Sequence, residues 1–319
     1  MTIIHIIQVP IPYPVKWVNC YYFEDSIPTL IDTGLNLPEC YESLVEGIRN
    51  SGGAASGLRR VVATHGHMDH AGLAGKLRDL SGAEILVHAD DQTKLLTDKE
   101  TIESKIAAFD RILLETGCPE EKRAEALEPL SERFSTFMSH AAECVPLNGG
   151  ESIQFDDFNL RVLHTPGHSP GSTCLLNEAN GDLFSGDSLI DELYVDPSSS
   201  MEPLSTHLAS LDMLVHLPVR RVYPGHGSSY ANFKNRIKRI RQYHDRRTAK
   251  VKEILQNSEA PQSPYAIASR LFGVEQGIDL LWAVSSVRFH LERLESIGEA
   301  VRISAGNSAY NYVPAVANS

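Results

Sequence analysis

No run of about 18 apolar residues occurs in this 319-residue chain, so the sequence offers no membrane-spanning helix. Cysteine is sparse. Cys20, Cys40, Cys118, Cys144 and Cys174 are an odd five with no C-x-x-C pair, which points away from a disulfide framework and from a thiolate zinc site. Such usage suits a reducing cytoplasm. The first residues lack a basic stretch ahead of their apolar run, and Pro10, Pro12 and Pro14 follow at once, so they read as a strand and not as a signal peptide. The expectation is a soluble, cytoplasmic protein with no membrane partner. Positive charge is also scarce in the larger part of the chain. Residues 1–230 hold 16 Lys/Arg against 33 Asp/Glu within a net charge of −12, a poor match to nucleic acid. Residues 231–319 reverse the balance, with 13 Lys/Arg against 8 Asp/Glu, and that shift marks the expected domain boundary.

What the chain does have is Thr64-His-Gly-His-Met-Asp-His70, directly after the apolar run Val61-Val62-Ala63. The run reads as a buried strand, which places the cluster in the loop that follows. Imidazole and carboxylate bind borderline and hard divalent metals. A loop can fold four such groups inward, whereas a helix would point residues two apart to different faces. A lone histidine is more often structural, but four ligand-type residues this closely spaced have the form of a metal site.

Short strands are expected at residues 3–9, 17–23, 29–31, 60–64 and 85–87, with helices at 38–50 and 71–80. Residues 91–141 read as two or three helices about Gly117-Cys-Pro119, either plain core or a lid over the chemistry. Strands return at 160–163, 173–176, 183–185 and 221–223. Beyond 231 come a long basic helix to Gln256, helices at 263–271 and 279–296, and a hairpin about Gly306-Asn307.

Three later strand ends carry ligand-type residues: His164-Thr-Pro-Gly-His168, Ser185-Gly-Asp187 and Pro224-Gly-His226-Gly227. Glycine and proline turn the backbone sharply there, so the junctions can converge at one sheet edge. Taken in order with Asn19 and Asp32-Thr33-Gly34, these motifs resemble the metallo-β-lactamase superfamily over residues 3–230. The resemblance implies an α+β fold, a four-layer αββα sandwich, with 91–141 as a helical insertion and 231–319 as a small winged-helix-like domain.

It also implies two divalent ions, zinc or else iron or manganese. His65, His67 and His164 would take one, and Asp69, His70 and His226 the other, with Asp187 bridging both. His168 would sit behind the ligands, Asp32 would brace the His-rich loop, and the seven other histidines would be structural. Asp69 and His226 carry the catalytic expectation: a metal-bridging hydroxide, oriented by Asp69, attacks an acyl carbon or phosphorus. The ligand set resembles that of two-metal hydrolases such as glyoxalase II. True β-lactamases commonly place a cysteine where Asp187 stands, which argues against antibiotic hydrolysis. The expected activity is hydrolysis of a small ester, thioester or lactone. The alternatives are an endoribonuclease using the basic C-terminal module and, third, a non-catalytic regulator. That module could equally close the pocket or form a homodimer.

Overall fold

The computed structural model describes residues 2–190, 203–273, 276–306 and 308–315. β1 (Ile3–Pro10), β2 (Trp17–Glu24) and β3 (Thr29–Ile31) form an antiparallel meander. α1 (Pro38–Asn50) then leads to β4 (Arg60–Val62), and α2 (Met68–Ala71) and α3 (Ala74–Ser81) lead to β5 (Glu84–His88), both strands joining in parallel. The helices α4 (Lys99–Glu115), α5 (Glu120–Leu127) and α6 (Leu130–Phe137) separate β5 from β6 (Val145–Leu147), which completes a six-stranded sheet in chain order. The second sheet contains β7 (Ser152–Gln154), β8 (Asn159–His164), β9 (Thr173–Asn177), β10 (Asp182–Gly186) and β11 (Arg221–Pro224), and α7 (Pro203–Leu214) lies in the crossover between its last two strands.

The two-residue period of the strands sorts the side chains into layers. Cys20, Tyr22, Val61 and Ile85 pack outward onto Leu44, Ile48 and Leu77 of α1 and α3. Their neighbours Tyr21, Phe23, Val62 and Leu86 face inward and meet Leu160, Val162, Leu175 and Phe184 of the second sheet. On that sheet's far side, Leu163, Leu176, Leu183 and Val222 pack on Leu211 and Leu214 of α7 and on Ile237 and Ile240 of α8 (Phe233–Gln256). The result is the expected αββα order. The helix expected over 71–80 is interrupted at Gly72, where a Cβ would lie within 2.6 Å of the carbonyl oxygens of Met68, Phe137 and Gly34. Three backbones converge there, and only glycine lets them.

After α8 come α9 (Pro264–Phe272), capped by the Ser263 hydroxyl accepting the Ala266 N–H at 3.1 Å, then α10 (Gly277–Ser296) and the hairpin β12 (Ala300–Gly306) and β13 (Ala309–Pro314). Residue 307 of the expected turn lies outside the described residues. α10 is buried along most of its length and runs through the middle of this unit. Its core extends beyond the tail. Phe109, Leu113, Ala126 and Leu130 of the α4–α6 segment share one apolar cluster with Val251, Ile267, Leu281, Val284 and Leu291. No helix among the described residues is long and apolar enough to cross a membrane.

Three buried histidines line the junction of α7, α8 and α10. His207, His244 and His290 have successive ring centroids 5.9 and 5.8 Å apart. Among the described residues no ring nitrogen of His207 or His244 has a hydrogen-bond partner. Burial, with Arg293 nearby, pushes His244 down to about 4, and burial likewise holds His207 and His290 well below the ordinary range. These rings are neutral in the fold but take up protons near pH 6.5 when unfolded, so stability is full above pH 6.5 and falls as the pH drops toward 4. At about 1.4 kcal/mol per unit, His244 alone should cost roughly 3 kcal/mol by pH 4. Denaturant midpoints of the chelator-treated protein should therefore fall between pH 7 and 4.5, and less steeply in His244→Phe. Equal slopes in the two proteins would refute this origin.

Candidate metal centre

The loops that leave β4, β8, β10 and β11 meet at one edge of the two sheets, each delivering ligand-type side chains to the same place. His65, His67 and His168 form one group, with His65 Nε2 lying 3.0 Å from His67 Nδ1 and 3.1 Å from His168 Nε2. Asp69, His70 and His226 form the other, with His226 Nε2 at 3.2 Å and His70 Nε2 at 3.7 Å from Asp69 Oδ2. Asp187 stands between the groups: Oδ1 is 3.4 Å from His70 Nε2, while Oδ2 is 3.5 Å from His226 Nε2 and 3.6 Å from His168 Nε2.

The expectation for His164 is corrected here. As the last residue of β8 it shares the parity of Leu160 and Val162, so it points between the sheets and stacks on His88 of β5 at 3.8 Å. Its Nε2–H donates to the Pro170 carbonyl at 2.8 Å, and its ligand-type neighbours are His88 and Asp90. The Thr165-Pro-Gly turn then swings the chain round. Gly167 adopts φ +139°, and a Cβ there would lie 2.4 Å from His207 Cβ. His168, beyond that turn, is the residue brought beside His65 and His67.

Three of the rings, His65, His70 and His226, are oriented from outside the group, as metal-ligating histidines require. His70 Nδ1–H donates to Asp32 Oδ2 at 2.8 Å. His226 Nδ1–H donates to the Trp17 carbonyl at 2.8 Å. Thr64 donates through its N–H and its hydroxyl to Asp32, leaving its oxygen 3.1 Å from His65 Nδ1 to accept that proton. Asn19 Nδ2 donates to the carbonyls of Pro224 and Gly227 and fixes the His226 loop, which gives the early-strand asparagine its physical role.

Charge follows this division. Burial, then the neighbouring rings, hold His65 well below its usual pKa and His168 down at about 3, so both present lone pairs. Burial would depress His70 and His226 too, but Asp187, then Asp32 and Asp69, carry His70 well above the ordinary range, and Asp187 and Asp69 carry His226 up to about 10. Both carboxylates are pulled low against burial by His70 and His226.

These residues fit divalent cations. Buried His70 Nε2 and Asp187 Oδ1 lie 3.4 Å apart, and among the described residues neither has a hydrogen-bond partner. The ring nitrogens of His65, His67 and His168 crowd one another at 3.0 and 3.1 Å, with Asp187 Oδ2 3.6 Å from His168 Nε2. Gly225 leaves the floor open, since a Cβ there would lie 2.4 Å from Asp187 Oδ1. The donors are nitrogen and oxygen throughout, a set open to zinc, iron and manganese.

A family model described as the metallo-beta-lactamase superfamily matches residues 17–226. The probable metallo-hydrolase YqjP of Bacillus subtilis is 26% identical over 313 residues, covering 95% of this chain and 96% of that protein. The human acyl-coenzyme A thioesterase MBLAC2 is 28% identical over 216 residues, 63% of this chain and 69% of its own. The crystal structure of a metallo-beta-lactamase family protein from Thermus thermophilus superposes with a TM-score of 0.83 at 27% identity, covering 98% of both chains. A family match that reaches from β2 to His226, and so takes in every element of the centre, shows that this chain belongs to the metallo-beta-lactamase superfamily.

Proposed function

We propose that this protein is a two-metal hydrolase of small acyl substrates, with acyl thioesters as the leading class. The observation that carries the reading is Asp187, whose two oxygens reach toward both histidine groups at once. His65, His67 and His168 would hold one cation, Asp69, His70 and His226 the second, and Asp187 both. Two such ions supply Lewis acidity and a water acidified toward neutral pH.

The chain's own groups supply the rest. Asp69 stays ionised beside His70 and His226, so with one oxygen on a cation its carboxylate would still orient an attacking water. His226, fixed through Nδ1 to the Trp17 carbonyl, turns Nε2 toward the same space, the direction from which it would ligate the second cation. The contact of the insertion with α2 supports its forming one wall of the site. α6 packs against α2, and its Arg133 guanidinium lies 5.9 Å from the Tyr13 ring and 5.5 Å from that of Phe137, an aromatic rim suited to an acyl chain.

The thioester preference draws on the named activity of the human relative, and on a donor set without the cysteine common in true β-lactamases. The endoribonuclease alternative gains nothing from α10, whose buried faces leave it no groove-reading surface. A panel of acyl thioesters, lactones and phosphodiesters, assayed with added zinc, manganese or iron, tests the reading. Thioester turnover that vanishes with chelator is expected. Phosphodiester cleavage without thioester turnover would overturn it.

A further inference from the structure

Asp91 has no solvent exposure and belongs to neither histidine group. It lies in the short helical turn 89–95 after β5, and its carboxylate is fully engaged. Oδ2 accepts the Gly66 N–H at 2.7 Å and the Ser169 hydroxyl at 2.6 Å, while Oδ1 accepts the Gly171 N–H at 2.9 Å. Lys94 Nζ lies 3.5 Å from Oδ1 and supplies the counter-charge. Burial works against the ionised form, but Lys94, Ser169 and Gly66 more than offset it and hold the carboxyl below its usual range.

The partners are what matter. Gly66 is the residue between His65 and His67, and Ser169 follows His168 directly. One buried anion therefore ties together two loops that leave strands of different sheets. Besides it, the Thr173 N–H donating to the Thr64 carbonyl at 2.8 Å joins them at their base. Both loops come so close that glycine is needed: a Cβ on Gly66 would lie 3.1 Å from Asp91 Cβ, and one on Gly171 2.7 Å from Asp91 Cγ. The second group is braced by different residues, Asp32 behind His70 and the Trp17 carbonyl behind His226. None of Asp91's bonds reaches Asp69, His70 or His226.

We propose that Asp91 is the positioning residue for the His65–His67–His168 half of the centre, setting the spacing of those three rings while leaving the Asp69–His70–His226 half to its own supports. The assignment rests on the two-ion reading, and its test separates the two. Asp91→Asn keeps the shape but turns an NH2 group toward at least one of the three donors, so one bond becomes a clash.

Chelator-stripped protein is titrated with cobalt(II) and followed by its visible spectrum, with circular dichroism as the check on folding. The wild type should take up two ions. In Asp91→Asn one binding phase should weaken by about 10–100-fold, the range for changes one layer behind the ligands, and the other phase should stay as it was. Ser169→Ala removes one donor without creating a clash. It should weaken the same phase by less, and it carries the test if the asparagine variant does not fold. A foldable variant in which both phases are unchanged, or both weaken equally, would overturn the assignment. Fewer than two ions in the wild type would overturn the two-ion reading, and this inference with it.

Discussion

His168→Ala is expected to lose one of two bound ions and nearly all turnover, while His164→Ala keeps both ions. The two histidines are four residues apart, and the chemistry of their side chains does not separate them. Backbone direction does. His168 Nε2 sits 3.1 Å from His65 Nε2 and 3.6 Å from Asp187 Oδ2, whereas His164 is engaged by the Pro170 carbonyl and the face of His88. Removing a ligand should weaken the ion held with His65 and His67 by more than the roughly 10–100-fold that follows from changes one layer behind. Removing His164 costs a hydrogen bond worth about 1 kcal/mol and should move metal affinity little. Metal content by atomic emission after gel filtration, with turnover on the best substrate, decides between them. The opposite pattern, with His164→Ala the deficient variant, would reject the arrangement described here.

Asp187→Ala should be harsher still. Its carboxylate lies within 3.6 Å of both His168 and the His70–His226 pair, so its loss strikes both halves of the centre. Both ions should be lost at concentrations where the wild type is saturated. Turnover should fall at least about a thousandfold, the scale of deleting one preorganised electrostatic group. Asp187→Asn, which keeps the volume, should fail nearly as badly, because a neutral amide cannot balance two cations. Either variant retaining two ions and wild-type turnover would remove Asp187 from the centre. Set beside the weakening of one binding phase expected for Asp91→Asn, the contrast reads out which half each carboxylate serves.

Much of this is legible in the residues. The two-residue alternation in strands such as Cys20-Tyr-Tyr-Phe23 is what splits the sheets' faces into separate cores. The spacing of His65, His67, Asp69 and His70 already marks a metal site, although Asp69 and His70 stand on the short helix α2 and not in the expected loop. Asp187 and His226 follow because each ends an apolar run at a glycine-bearing turn. Reading the ligand motif from the strand end, before the Pro166-Gly167 reversal, misplaces His164. Counting parity from Leu160 and Val162 sends it between the sheets. Asp91 carries no local signal, since its meaning lies in partners 25 and 80 residues away. β6 and β7 are three residues each, too short for any period to show.

Phe109, Leu113, Ala126 and Leu130 close one core with Val251, Ile267, Leu281 and Leu291. A chain cut at residue 230, where the charge balance turns, would strip these insertion residues of their cover and leave an adhesive surface. The α4–α6 segment and the tail from Val251 onward thus close one core from two separate stretches of the chain. Moving either stretch alone between relatives would leave half of that core behind.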